Sequence, residues 1–102
     1  MHKMTKYTAI PRKVKDGVTR RDGGMCVICH QPGMPTAHIV RRSQGGRGIE
    51  PNIVTLCPLC HRAFDEGKDR DTYEVRIIAY IKGFYPDWSR EDMIYRKGDT
   101  SC

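Results

Sequence analysis

Two Cys-x-x-Cys pairs, Cys26 with Cys29 and Cys57 with Cys60, separated by 27 residues, constrain this chain more than any other feature. With 102 residues, 38% of them hydrophobic and only two Phe, the chain can build one compact domain but no large core, so a staple is expected. Two such pairs would give a structural zinc ion (Zn²⁺) four thiolates in tetrahedral geometry, each knuckle supplying two sulfurs. A closed four-sulfur site stabilises a fold and leaves no vacant position for substrate. Disulfides fit less well. No apolar run approaches the ~20 residues of a membrane span, and the basic stretch from Met1 to Arg21 lacks the apolar segment of a signal peptide. The expected compartment is therefore a reducing cytoplasm, where paired cysteines read as metal ligands.

Both pairs are followed by histidine, giving Cys26-Val27-Ile28-Cys29-His30 and Cys57-Pro58-Leu59-Cys60-His61. Cys-x-x-Cys-His is also the attachment motif of c-type haem, but attachment normally requires export. His30 then reads as an exposed turn residue. Redox chemistry is the weaker option, because the two pairs bracket a glycine-rich loop and no βαβ unit adjoins either of them. The fifth cysteine is Cys102.

The net charge of +6 is unevenly spread. Residues 1–25 hold seven Lys/Arg against two acids, and residues 38–62 hold four Arg against Glu50. Positive charge gathered around the cysteines suits a polyanionic partner, above all nucleic acid. A merely solvated surface would carry the same charge.

Along the chain, residues 1–10 read as a flexible basic tail, and residues 11–102 as a single domain with a core over 25–67 and a C-terminal helical extension over 70–97. Pro11 and the i, i+4 pair Val14 and Val18 predict a short basic helix from Arg12 to about Arg21, ended by Gly23-Gly24. Met25 to Pro35 reads as a knuckle. Thr36 to Arg41 and Asn52 to Leu56 read as short strands, separated by an irregular loop from Arg42 to Pro51 that contains Gly45, Gly46 and Gly48. A helix is expected from near Pro58 to Gly67 and another from about Thr72 to Lys82, with Ser89 and Asp92 resembling a capping box.

Inside the cysteine frame lie three polar residues that a purely structural knuckle does not need: His38 on the first strand, Asn52 opening the second, and His61 on the helix. Singly, His38 is equally a hydrogen-bonding hairpin histidine and Asn52 a turn former. Together with Ala37-His38-Ile39-Val40-x-Arg42-Ser43-x-Gly45-Gly46, Asn52-Ile53-Val54-Thr55-Leu56-Cys57 and Cys60-His61, they make residues 11–67 resemble the HNH endonucleases with a four-cysteine zinc site. Gly48-Ile49-Glu50 and Tyr85-Pro86-x-Trp88 are similar to small phage or bacterial members.

The resemblance implies an α+β, zinc-stapled ββα-metal (His-Me finger) domain with flanking helices, acting as a metal-dependent DNA endonuclease. By the same resemblance His38 is the general base, Asn52 holds the loop and strands, and His61 binds a catalytic Mg²⁺ or Mn²⁺. Many members carry Asp or His immediately before the base, where this chain has Ala37, and that departure keeps open a non-catalytic nucleic-acid-binding module. Asp65, four residues after His61 and so on the same helical face, is the candidate second ligand. Arg41, Arg42, Ser43, Arg47 and Arg62 are candidate phosphate contacts. DNA is the expected partner, with no membrane, and with room for a larger phage or restriction assembly.

Overall fold

The structure is a computed structural model, and it describes residues 7–95. The first helix, α1 (Arg12–Asp22), starts where the Pro11 carbonyl accepts the N–H groups of Val14 and Lys15. It ends at Gly23, whose left-handed backbone (φ 69°) turns its N–H onto the Thr19 carbonyl at 2.8 Å. Val18 is its fully buried residue, and Arg12, Lys13, Lys15 and Arg20 are exposed.

Strands β1 (Met34–His38) and β2 (Ile53–Leu56) pair antiparallel, with Met34 opposite Leu56, Ala37 opposite Val54 and His38 opposite Ile53, and an irregularity between the first two pairs. The first strand therefore lies earlier than the expected Thr36 to Arg41. Ile39 still donates to the Asn52 carbonyl at 2.8 Å, but the next donor, Val40 N–H, goes to the Asn52 side chain at 2.9 Å. A side chain thus replaces the ladder and the chain leaves the sheet. Ile39 and Val40 are both fully buried, which breaks strand alternation in the same place.

Helix α2 (Pro58–Glu66) begins on Cys57, whose sulfur accepts the Cys60 N–H, and ends before Gly67. Helix α3 (Arg70–Lys82) packs against α2. Phe64, Ile39, Leu56, Val54, Ile77 and Ile81 form the centre of the core, with Trp88 and Met93 closing one side. None of the helices among the described residues is long and apolar enough to cross a membrane.

The stretch expected as a tail includes four described residues, Tyr7 to Ile10, and these are tied to the fold. Thr8 is buried, the Gly48 N–H bonds the Tyr7 carbonyl at 2.9 Å, and the Tyr7 ring stacks on Tyr95 at 4.0 Å. Close backbone approach explains the glycines of the loop: a Cβ at Gly48 would collide with the Ala9 carbonyl, and one at Gly46 with the Val40 carbonyl. Residues 93–95 close the same loop, since Arg47 N–H donates to Met93 and Tyr95 N–H to Gly45. In the final turn, Glu91–Met93, the Asp92 N–H donates to the Ser89 hydroxyl at 3.3 Å, half of the expected capping box. Cys102 and residues 96–97 lie outside the described residues.

A buried ion pair fastens α1 to the rest. Asp22 accepts from Arg21 (2.8 Å), from the Tyr80 hydroxyl (2.6 Å) and from the Thr55 N–H (2.9 Å), while Arg21 also donates to the carbonyls of Glu50 and Ile53. Burial opposes ionisation of Asp22, but Arg21, Tyr80 and Thr55 outweigh it and hold its carboxyl below the usual range. Burial and Asp22 together push the Tyr80 hydroxyl up to about 12.

Candidate functional site

The four cysteines of the two pairs converge, with all four sulfurs within 4.8 Å of one another and those of Cys29 and Cys57 3.5 Å apart. Sulfurs at the corners of a tetrahedron around zinc are separated by about 3.8 Å, so the donor set and its spacing fit that ion. Each knuckle is shaped locally, because Cys29 N–H points to the Cys26 sulfur and Cys60 N–H to the Cys57 sulfur. Burial works against ionisation of Cys26, yet the N–H groups of Cys29, Cys57 and Ile28 bring its thiol down to about 7. Burial, and then the adjoining sulfurs, push the Cys60 thiol up. Four thiolates in this space therefore require a cation among them. Sulfurs gathered at one point do not suit separate attachment of two haems. His30 is an exposed turn residue with φ 65°, and its N–H closes the knuckle on the Cys26 carbonyl at 2.9 Å.

Beyond the cysteines, an open cleft of about 540 Å³ is lined by Ala9, Ile10, Lys15, Thr36, His38, Arg41, Arg42, Ser43, His61 and Asp65. His38 comes from the end of β1, Arg42 and Ser43 from the turn that follows, and His61 and Asp65 from one face of α2. The fold thus gathers His38, His61, Asp65, Arg41, Arg42 and Ser43 around one space. Arg47 and Arg62 are exposed outside it.

His38 is anchored from a direction its own hairpin does not supply. Its Nε2 lies 2.8 Å from the Thr8 carbonyl. A carbonyl can only accept, so Nε2 carries the proton and Nδ1 is the basic atom of the neutral ring. Burial lowers the His38 pKa from its ordinary value and the Arg42 charge lowers it further, against the opposing pull of the Thr8 carbonyl and Asp65. Burial and Arg42 thus favour the neutral form of the His38 imidazole.

Across the cleft, His61 Nε2 and Asp65 Oδ2 are 3.0 Å apart at i, i+4 on α2. The contact is an ion pair when His61 is protonated, and its spacing is also that of adjacent ligands on an octahedral ion at about 2.1 Å, so the two side chains could hold one hard divalent cation. Ala37 is fully buried in the core and offers no ligand. Glu50, the other acid of this region, is packed over Gly17 of α1 and does not line the cleft.

Asn52 is fully buried and works entirely through the backbone. Its Oδ1 accepts from Val40 N–H at 2.9 Å, and its Nδ2 donates to the carbonyls of Arg47 (2.9 Å) and Val40 (3.3 Å). The loop between the strands is thereby closed on the residue pair that follows His38.

Three contributors were not read from the sequence. Lys15 reaches the cleft from α1, the Thr8 carbonyl anchors His38, and Arg70 bonds the carbonyls of Ile39 and Phe64. The basic helix was a signal for Lys15. A backbone carbonyl supplied by a distant segment, or a lone Arg at a helix start, gives no sequence signal.

A two-stranded antiparallel hairpin followed by a helix, with a four-cysteine metal site beside it, makes this a small α+β fold consistent with the ββα-metal class. Residues 26–65 match the HNH endonuclease family model. The segment runs from the first zinc-candidate cysteine to Asp65. The chain is also similar to Anaredoxin of Nostoc sp. (strain PCC 7120 / SAG 25.82 / UTEX 2576), 29% identical over 59 residues that span 56% of this chain and 78% of that protein. No solved structure matches the chain.

Proposed function

We propose that this protein is a metal-dependent DNA endonuclease that hydrolyses phosphodiester bonds with His38 as general base. The observation that carries the reading is the convergence of His38, the His61–Asp65 pair and two arginines on one open cleft, within and beside the segment that matches the HNH endonuclease family model.

In this reading the Nδ1 atom of His38 takes a proton from the attacking water, a task suited to an imidazole kept neutral by burial and by Arg42. His61 and Asp65 would hold Mg²⁺ or Mn²⁺, which would supply charge stabilisation at the phosphate and the leaving 3′ oxygen. Arg41, Arg42 and Ser43 contact phosphate oxygens and orient the strand without reading its sequence. Arg47, Arg62 and Lys15 extend the positive surface on either side. Asn52 keeps the loop closed so that His38 holds its direction, and Cys26, Cys29, Cys57 and Cys60 hold a zinc ion whose role is structural.

The buried Ala37, at the position where many members of the resembled family carry a ligand, favours a second reading, a zinc-stapled nucleic-acid-binding module without catalysis, because it offers no donor beside the proposed His61–Asp65 pair. Incubating supercoiled plasmid with the purified, zinc-loaded protein separates the two. The nuclease reading expects nicked or linear product only when Mg²⁺ or Mn²⁺ is added. DNA binding with intact plasmid under every divalent ion tested favours the module. In either case binding is largely electrostatic, so affinity measured between ~50 and ~200 mM salt is expected to fall by orders of magnitude. A flat salt response contradicts the phosphate contacts assigned here.

A further inference from the structure

Arg70, the first residue of α3, lies outside the segment that matches the HNH family, yet its guanidinium joins the two halves of the cleft. One arm donates to the Phe64 carbonyl at 3.0 Å and the other to the Ile39 carbonyl at 3.1 Å. Ile39 follows His38 in the chain, and Phe64 precedes Asp65. The guanidinium also lies over the Phe64 ring at 4.0 Å, with its first arm 3.9 Å from Asp65 Oδ1. Its second arm is 3.7 Å from Glu74, which in turn is held by Arg90 at 2.7 Å. The side chain is only 16% exposed.

We propose that Arg70 is a positioning residue that sets the separation and orientation of His38 relative to the His61–Asp65 pair. The proposal rests on the nuclease reading of the cleft. His38 and Asp65 arrive on different elements, and a rigid planar fork bonded to the backbone beside each of them fixes one against the other. Lysine cannot reproduce this, since a point donor on a flexible stem satisfies one carbonyl while leaving the other unpaired. Misplacing reacting groups by about 1 Å costs on the order of 10² in rate, so a small loosening reads out in turnover. Arg70→Lys also keeps the positive charge beside Asp65 and Glu74, and so separates geometry from charge.

The test compares the full-length, zinc-loaded parent with Arg70→Lys, measuring plasmid cleavage together with the Mn²⁺-induced broadening of the His38 and His61 ring signals by NMR. In the parent, Mn²⁺ is expected to broaden both rings. In Arg70→Lys, His61 is expected to broaden as before and His38 to change, because the broadening varies steeply with distance. The kcat should drop roughly 10- to 100-fold with KM nearly unchanged. A purely stabilising arginine would instead lower the unfolding temperature and leave kcat and the His38 broadening of the folded protein as in the parent, and that result overturns the proposal. Should Arg70→Lys fail to fold, Arg90→Ala loosens the same bracing through Glu74, and a smaller change of the same two readouts is expected; parent-like values there overturn the proposal. Loss of the nuclease reading looks different. If the parent binds Mn²⁺ at His61 but cleaves nothing, the broadening comparison still decides whether Arg70 positions His38. If Mn²⁺ broadens neither ring in the parent, the metal assignment fails and takes the positioning claim with it.

Discussion

The cysteine cluster and the cleft share helix α2 but are built in opposite ways. Each half of the cluster comes from a short knuckle in which the backbone N–H three residues on points to a sulfur, and three of the four cysteines are buried. The cleft draws on the segment before α1, on α1 itself, on the end of β1, on the following turn and on α2, and both Asp65 and Arg42 are exposed. Cys60 and His61 are neighbours on one helix, so one site fixes the start of the helix that carries the other. The difference teaches that the cluster is closed, whereas the cleft is open and, among the described residues, offers the His61–Asp65 pair as its proposed cation ligands. Damage should therefore pass from cluster to cleft but not back.

The largest expected effect breaks the comparison from the cluster side. Cys57→Ser removes one of four thiolates and the sulfur that caps α2. Structural zinc contributes roughly 10 kcal/mol or more to folding, so this variant is expected to lose zinc and to unfold or aggregate, checked by metal analysis and thermal unfolding. A folded, zinc-loaded Cys57→Ser that still binds DNA would separate the two regions.

Next in size is the ion pair that holds α1, and with it Lys15, against the hairpin. Asp22→Asn leaves Arg21 buried without its counter-charge and is expected to cost about 3–5 kcal/mol in denaturant unfolding. The sign with pH follows from the depressed Asp22 pKa. Its contribution is fully present above the unfolded-state value of about 3.9 and is lost as pH falls through the lower folded value. The parent's stability should accordingly fall more steeply below about pH 4 than that of Asp22→Asn. Equal slopes would remove Asp22 from this role.

These two features mark what was legible in the sequence. The knuckles were legible because their ligands are close in sequence, and α1, α2 and α3 because apolar spacing, Pro11, Pro58, Gly23 and Gly67 punctuate them. The HNH resemblance singled out His38, Asn52 and His61, of which the structure brings His38 and His61 to the cleft and leaves Asn52 buried. The end of β1 was not, because Asn52 takes over the hydrogen bond of Val40 by a contact across twelve positions of the chain. Nor was the anchoring of Tyr7 to Ile10, which depends on a backbone approach that only Gly48 permits. The assignment of Arg21 and Asp22 to a buried pair was hidden for the same reason: charged residues at a helix end read as solvated until their distant partners are known.

Smaller effects confined to the cleft sharpen the comparison. Asp65→Ala should leave zinc content and unfolding temperature close to the parent's while shifting activation of cleavage to higher Mg²⁺ or Mn²⁺ concentration. Unchanged metal dependence would return Asp65 to the solvent. Smaller still is the effect of Arg42→Gln on pH dependence. With His38 as the proposed base, cleavage would require its neutral form, so kcat should fall as pH drops through a His38 pKa that burial, Arg42 and His61 hold below the ordinary value. Removing Arg42 relieves one of those causes, and the acid limb should move to higher pH. A limb that stays fixed would mean that another group titrates there.

The most direct measurement is plasmid cleavage by His38→Ala, scored beside zinc stoichiometry, thermal unfolding and DNA affinity of the same preparation. Removing the imidazole should leave the cluster, the fold and the DNA affinity intact while cleavage falls by roughly 10²- to 10⁴-fold, the usual contribution of a general base. Parent-like cleavage by folded, zinc-loaded His38→Ala would contradict the assignment of the cleft as a nuclease site built on this histidine.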